Sequence, residues 1–190
     1  MAKLMVSVVD EAEALEAFKG GADIIDVKNP SEGALGAQKP QLILKVRRAL
    51  PRRVEVSATL GDLPYLPGTS SLAAVGAASM GVNYVKVGLF GVKTLEEAVH
   101  MVKAIREALK ALGFKTMLVA CGYADSREYG SLNPSMLPLV AYKAEADGIL
   151  VDVKRKERGI NLFSYLNRET LAKLVAEGRN LGLFTAMAGG

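Results

Sequence analysis

In ADIIDVKNP, residues 22–30, an apolar run rich in β-branched residues ends on a lysine. NYVKVGLFG (83–91) and GILVDVKRK (148–156) repeat this pattern. Such runs are typical of the buried strands of a parallel sheet. A lysine is rarely buried unless it is paired, because removing an ammonium from water costs several kcal/mol. The repeated lysines therefore indicate a functional interior.

Aspartates accompany two of these lysines at a spacing of two residues. Asp26 precedes Lys28, and Asp152 precedes Lys154. Side chains two apart on a strand point to the same face of the sheet. We therefore expect carboxylates and amines to converge on one interior, as an amine-based catalyst requires. The alternative is that these residues form buried ion pairs without any chemistry.

The composition limits the class of protein. The chain of 190 residues is half hydrophobic, which predicts one globular domain, residues 1–190, with a substantial core. Its 24 basic and 20 acidic residues are spread along the chain, so nucleic-acid binding is not expected, whereas a basic pocket for an anionic metabolite remains open. Cys121 is the single cysteine and excludes an intrachain disulfide. With neither a signal peptide nor a long apolar run in the sequence, we expect a cytoplasmic protein without membrane contact.

Short apolar runs alternate with segments of helical periodicity along the whole chain. Strands are predicted at 3–9, 23–27, 53–59, 84–88, 115–121, 148–153 and 181–187, and helices at 10–19, 40–50, 70–80, 94–112, 134–144 and 167–177. This alternation predicts parallel strands joined by right-handed crossovers. The repeat favours an α/β fold of the (β/α)8 TIM-barrel type. An open, doubly wound sheet is the alternative.

The sequence ends just after the seventh predicted strand. We expect the eighth strand of the barrel and its flanking helices to be missing from the chain, leaving one C-terminally incomplete domain. Strands one and seven should then not pair directly, and a gap about one strand wide should separate them. Because an open strand edge can recruit another strand, a homo-oligomer is also expected.

In a barrel the active site lies at the carboxyl ends of the strands. The charged residues of the three lysine-bearing segments fall at or just beyond such ends: Asp26, Lys28, Lys86, Asp152, Lys154 and Lys156. Alternation along each strand directs them inward, away from the helices.

Five segments resemble one known family over nearly the whole chain: ADIIDVKNPSEGALGA, VSATLGDLPYLPGTSSLAAVGAASMGVNYVKVGLFGVK, VACGYADS, LVDVKRKERGINLFSYL and LFTAMAGG. The chain is similar to the (5-formylfuran-3-yl)methyl phosphate synthases of methanofuran biosynthesis. The resemblance implies a (β/α)8 barrel and an aldolase-like lyase. Its reaction would condense two glyceraldehyde 3-phosphate molecules into 4-(hydroxymethyl)-2-furancarboxaldehyde phosphate, with loss of phosphate and water.

The resemblance also implies roles for particular residues. Lys28, in DVKNP, would form a Schiff base with the substrate, and Lys86, in YVKVG, would act as the general acid and base. Asp26, Asp152 and Lys156 match the remaining charged positions of the family's active site. This scheme requires no metal ion and no organic cofactor, and the only partner that it implies is a small phosphorylated aldehyde.

Glycines are the candidates for binding the substrate phosphate through backbone N–H groups. Gly189 and Gly190 follow the seventh strand, where barrels often bind phosphate. Gly33 and Gly36 are further candidates, although both could be ordinary turn glycines.

Two other functions remain open at the level of the sequence. Another Schiff-base aldolase with a phosphorylated sugar substrate would use the same lysines, and a barrel that binds phosphate without catalysis would use the same glycines.

Overall fold

The structure, a computed structural model, describes residues 2–189 and contains seven parallel strands alternating with helices. The strands are β1 (Met5–Val8), β2 (Ile24–Val27), β3 (Glu55–Pro64), β4 (Tyr84–Gly91), β5 (Met117–Tyr123), β6 (Gly148–Asp152) and β7 (Phe184–Met187). The helices are α1 (Glu11–Lys19), α2 (Pro40–Ala49), α3 (Pro67–Ser79), α4 (Leu95–Ala111), α5 (Ser126–Tyr129), α6 (Leu137–Lys143) and α7 (Arg168–Asn180). Short 3₁₀ turns occupy Pro30–Glu32, Pro134–Met136 and Leu162–Ser164.

The strands pair strictly in sequence order, from β1 to β7, and every pairing is parallel. A doubly wound sheet would reverse its strand order at a switch point, so that alternative is wrong. The sheet is curled, because side chains from distant strands meet on its inner face. The rings of Tyr84 on β4 and Phe184 on β7 lie 5.8 Å apart, edge to face. Lys86 Nζ on β4 lies 3.7 Å from Met5 Sδ on β1.

The two ends of the curled sheet flank an open space. Within residues 2–189, β1 pairs only with β2 and β7 pairs only with β6, as expected. Residues 2–5 beside β1 and 184–188 along β7 line one cavity of about 610 Å³. The fold is therefore a curled, seven-stranded α/β sheet that resembles part of a barrel.

Alternation along the strands separates two sets of buried residues. Ile25, Val85 and Ile149 face outward and belong to the large core between the sheet and the helices. The inner face carries a smaller apolar group that includes Val119 and Leu150. The buried charged residues of the strands, Asp26, Lys86 and Asp152, lie on the inner face, where they line the cavity.

The third strand is longer than its predicted range of 53–59. It continues to Pro64, with irregular pairing between Thr59 and Asp62 and again before Pro64, where the strand pairs with Gly91. Helix α3 then begins at Pro67, because proline suits the first turn of a helix. The extension carries Asp62 to the carboxyl edge of the sheet.

None of the helices described between residues 2 and 189 combines the length and the apolar character that crossing a membrane requires.

Helix α4 begins with a capping box that can be tested directly. The Thr94 hydroxyl accepts a hydrogen bond from Glu97 N at 3.2 Å, and the Glu97 carboxylate accepts one from Thr94 N at 3.4 Å. We expect Thr94→Ala to lower the free energy of unfolding by about 1 kcal/mol, because it removes the N-cap. Thr94→Ser, which keeps the hydroxyl, should stay near the wild type. Urea denaturation measures both, and equal stability of all three proteins would contradict this role.

Candidate active site

The charged residues predicted from the sequence meet on the inner face of the sheet, at its carboxyl edge. Lys28, Lys86, Asp26 and Asp152 all line the 610 Å³ cavity between β1 and β7. A second cavity, of about 530 Å³, opens at the strand ends and shares Lys28 and Asp152 with the first. The two cavities together form the candidate active site.

Asp26 and Lys86 form an ion pair inside the sheet. Lys86 Nζ lies 2.7 Å from Asp26 Oδ2, and the side chains are only 3% and 1% exposed. The Ser7 hydroxyl donates to the same oxygen at 3.0 Å. Among the described residues, Asp26 Oδ1 has no hydrogen-bond partner. Asp26 therefore contacts Lys86, which reaches it across β3, and not Lys28, which lies two residues away in the sequence.

Lys28 has a different environment from Lys86. It follows the end of β2, is half-buried, and lines both cavities. Its Nζ donates a hydrogen bond to the Ala34 carbonyl at 3.4 Å. Within residues 2–189, Lys28 has no carboxylate at salt-bridge distance. Lys28 therefore presents its amine to the cavity without a counterion.

Asp152 and Lys156 form a second pair at the end of β6. Lys156 Nζ lies 2.7 Å from Asp152 Oδ1; the carboxylate is 3% exposed and the lysine 47%. The Val153 N–H also donates to that oxygen, at 2.7 Å. The buried carboxylate thus connects the cavity to a cation that reaches solvent.

Lys154 pairs with Asp62, which was not among the site residues predicted from the sequence. Its Nζ lies 2.5 Å from Asp62 Oδ2 and 4.5 Å from the centre of the Phe90 ring. The Tyr123 hydroxyl donates to the other oxygen of Asp62. Asp62 and Tyr123 are the main residues that were missed, and their position just after apolar strand residues was the available signal.

The loop after β6 is held by a further buried carboxylate, Asp125. It accepts hydrogen bonds from the backbone N–H groups of Lys154 and Arg155, at 2.9 and 2.8 Å. Asp125 thereby fixes the backbone from which Lys154 and Lys156 project into the 530 Å³ cavity.

The glycines proposed to bind phosphate fall into different positions. Gly33 and Gly189 line the 530 Å³ cavity, both with positive φ, 135° and 103°. The Gly36 N–H instead donates to the Gly33 carbonyl at 3.2 Å, and a Cβ at Gly36 would lie 2.1 Å from the Asn29 carbonyl oxygen. Gly36 is thus engaged in closing its loop. Gly190 lies outside the described residues.

The structure also bears on two other kinds of chemistry at the site, by a thiolate and by a metal ion. Burial raises the pKa of the Cys121 thiol far above its ordinary value, so a thiolate nucleophile is not available there. Within residues 2–189, the structure shows no group of three or more His, Cys, Asp or Glu side chains that could hold a metal ion.

Amines and carboxylates placed at the carboxyl edge of a parallel sheet are suited to carbonyl chemistry with proton transfer. The fold and the site therefore define an α/β protein that groups lysine and aspartate side chains at the carboxyl edge of its sheet. Comparison with known proteins specifies it further. The family model described as 4-HFC-P synthase matches residues 4–190, so the chain belongs to the 4-HFC-P synthase family.

Similar proteins agree with this family. The chain is 48% identical over 187 residues to the (5-formylfuran-3-yl)methyl phosphate synthase of Methanopyrus kandleri, covering 98% of this chain and 78% of that protein. For the Methanocaldococcus jannaschii protein of the same name, the identity is 47% over 186 residues, covering 98% and 79%. The resemblance noted in the sequence is thereby confirmed.

Solved structures with much lower identity show the fold alone. A 2,3-dimethylmalate lyase of the PEP mutase/isocitrate lyase superfamily has a TM-score of 0.68 at 15% identity, covering 98% of this chain and 75% of that chain. An oxaloacetate acetylhydrolase also has a TM-score of 0.68 at 15% identity, covering 98% and 74%.

The buried pair of Asp26 and Lys86 predicts a stability effect. We expect Lys86→Met to lower the free energy of unfolding by about 3–5 kcal/mol, because it leaves the Asp26 carboxylate buried without its counterion. In the double variant Asp26→Asn/Lys86→Met, most of that loss should be recovered. Urea denaturation of the wild type, Asp26→Asn, Lys86→Met and the double variant measures the coupling. Equal losses in the single and double variants would show that the pair does not determine the stability.

Proposed function

We propose that the protein condenses two molecules of glyceraldehyde 3-phosphate through a Schiff base on Lys28, forming 4-(hydroxymethyl)-2-furancarboxaldehyde phosphate for methanofuran biosynthesis. Phosphate and water are released. The family membership and the names of the relatives support the product. The observation that carries the mechanism is the Lys28 amine, which faces the cavity with a carbonyl oxygen as its hydrogen-bond partner.

Lys28 is the nucleophile in this mechanism. Its neutral amine adds to the substrate aldehyde, and the resulting carbinolamine loses water to give an iminium ion. The iminium withdraws electrons from the adjacent carbon, so removal of a proton there gives an enamine. The enamine carbon then attacks the second aldehyde, which forms the new carbon–carbon bond and regenerates the iminium. Cleavage of the C–N bond to Lys28 later releases the product and frees the amine.

Asp26 and Lys86 move protons in this mechanism. The free Asp26 Oδ1 is a buried acceptor at the cavity wall, while Oδ2 is held by Lys86 and Ser7. Asp26 takes up the proton removed from the carbon beside the iminium. Lys86 donates a proton to the oxygen of the second aldehyde as the carbon–carbon bond forms, and Asp26 then returns its proton to Lys86. The contact of 2.7 Å between them supports this exchange.

Asp152 and Lys156 serve the later steps. Loss of phosphate and closure of the furan ring require a base that removes a proton and an acid that protonates the leaving oxygen. The buried Asp152 carboxylate and the half-exposed Lys156 ammonium supply this combination at one edge of the cavity.

We also propose that one further strand fits between β1 and β7 and completes a (β/α)8 barrel as a single domain. Two observations support this proposal: the cavity that both edge strands line, and the length of the relatives, of which the chain covers 78–79%. Cytoplasmic location and homo-oligomerisation stay predictions.

Covalent trapping tests the nucleophile. Incubation with glyceraldehyde 3-phosphate and cyanoborohydride should add a substrate-derived mass to Lys28, detected by peptide mass spectrometry. Lys28→Arg should abolish the label, because a guanidinium does not form the imine. Lys173→Met, which changes an exposed lysine on α7, is the matched control and should be labelled like the wild type.

Two other results of the trapping experiment would contradict Lys28 as the nucleophile. Labelling of Lys86 instead would exchange the two roles, and absence of any label would favour a barrel that only binds phosphate. Product analysis then separates the furan synthase from another Schiff-base aldolase.

Turnover tests the role of Lys86 separately from its role in stability. The double variant Asp26→Asn/Lys86→Met keeps the packing of the pair but removes both proton-transfer groups. We expect its turnover to fall by on the order of 10²-fold or more, at a temperature where circular dichroism shows it to be folded. A folded double variant with normal turnover would reduce the pair to a structural element.

A further inference from the structure

We propose that Lys154 is the cation that binds the substrate phosphate in the 530 Å³ cavity, and that Asp62 is the residue that positions it. The inference rests on the proposed function, because it assumes a phosphorylated aldehyde at Lys28. It adds the side-chain partner of that phosphate, for which the sequence indicated only glycines.

The Lys154 ammonium is held in place on two sides. Asp62 Oδ2 accepts one of its N–H groups at 2.5 Å, and the face of the Phe90 ring lies 4.5 Å from Nζ. An ammonium has three N–H donors. Because Lys154 lines the cavity and its side chain is 20% exposed, a further donor is available to a ligand there.

The charge of the cavity is suited to an anionic ester. Three lysines and one aspartate line it, Lys28, Lys154, Lys156 and Asp152, and Asp62 pairs with Lys154 beside it, so at their ordinary charges the cations exceed the anions by one. A phosphate monoester carries a charge of about −1.5 to −2 near neutral pH. Lys154 and Lys156 are each paired with one aspartate, but the side chain of Lys154 is 20% exposed and that of Lys156 is 47% exposed. Lys154 is therefore the more buried of the two cations at this cavity.

Asp62 connects Lys154 to the loop that contacts the proposed nucleophile. The Leu35 N–H lies 3.4 Å from the same Asp62 oxygen that binds Lys154. The preceding residue, Ala34, supplies the carbonyl that contacts Lys28. One carboxylate therefore fixes both the cation for the phosphate and the loop beside the amine, which sets the position of the aldehyde relative to its phosphate.

Two glycines leave space for the Asp62 carboxylate, and one tyrosine donates a hydrogen bond to it. A Cβ at Gly33 would lie 2.4 Å from Asp62 Oδ2, and one at Gly88 would lie 2.6 Å from Oδ1. The Tyr123 hydroxyl donates to Oδ1 and is itself buried. The carboxylate thus fits a space that only glycine leaves open. A simple structural ion pair would not require Lys154 to face the cavity.

The first measurement is the binding of inorganic phosphate, followed by isothermal titration calorimetry. The wild type should bind phosphate, and Lys154→Met should weaken binding by about 10- to 100-fold, as expected for the loss of one hydrogen bond between charged groups. Lys154→Arg keeps the charge and the pairing with Asp62 and should restore part of the affinity. Lys173→Met on α7 is the matched control and should bind like the wild type.

The second measurement compares two aldehydes in cyanoborohydride labelling of Lys28. At limiting concentration, glyceraldehyde 3-phosphate should label the wild type faster than unphosphorylated glyceraldehyde. We expect the ratio of the two rates to fall by about 10- to 100-fold in Lys154→Met. A structural defect would slow both aldehydes equally and leave the ratio unchanged.

The role of Asp62 is tested by a double-mutant cycle on the same ratio. Asp62→Asn should lower the ratio, and Asp62→Asn/Lys154→Met should lower it no further than Lys154→Met alone, because Asp62 acts through Lys154. The double variant removes both charges of the pair, so it remains a test even where a single variant folds poorly. Additive losses, or a higher ratio in Asp62→Asn, would overturn the positioning role.

The outcomes separate this inference from the proposed function. Phosphate binding that depends on Lys154, without labelling of Lys28, would support the phosphate site and contradict the Schiff-base mechanism. Labelling of Lys28 with an unchanged ratio of the two labelling rates in Lys154→Met would support the Schiff-base mechanism and contradict the phosphate site. Phosphate binding that survives in Lys154→Met but is lost in Lys156→Met would overturn the assignment of Lys154.

Discussion

The ion pair between Asp26 and Lys86 constrains the inner face of the sheet. Both side chains are almost fully buried, so separating them would leave a charge in an apolar interior, at a cost of several kcal/mol. The pair joins β2 to β4 across β3, on the inner face of the curled sheet. The outer face has no comparable constraint, because its residues pack as an apolar layer against the helices. The charged inner face and the apolar outer face of the sheet therefore both follow from the alternation of side chains along the strands.

This constraint divides the lysines into groups with different capabilities. Lys86 is fixed by a carboxylate and can exchange protons with it, but it has little freedom to form a covalent bond with a substrate. Within residues 2–189, the amine of Lys28 makes one hydrogen bond, to a carbonyl oxygen at 3.4 Å, and no ion pair, which leaves it the freedom that an imine requires. Lys154 and Lys156, each paired with one aspartate, lie further out at the strand ends. In the proposed mechanism, this ordering places the proton-transfer groups deepest and the cations that would bind an anion nearest to solvent.

The sequence predicts the strands, their parallel pairing and the inward direction of the charged residues, because each depends on local alternation. It does not predict that Asp26 contacts Lys86 rather than Lys28, since residues two apart on a strand share a face while their side chains can reach different neighbours. The sequence also does not indicate a role for Asp62, because its partners lie far away along the chain. Its contacts are with Tyr123 and Lys154, 61 and 92 residues away in the sequence, and only the curled sheet brings them together.

The extension of β3 shows how a local irregularity can build a site. A regular third strand would have ended near Thr59, and its last side chains would have continued the alternation of the sheet. The irregular pairing between Thr59 and Asp62 instead changes the register with β4. Gly88 on β4 leaves space where another residue would collide with the Asp62 carboxylate. A carboxylate can therefore enter the carboxyl edge of the sheet at a position that simple alternation would not supply, and the loop carrying Ala34 and the lysine after β6 both pack against it.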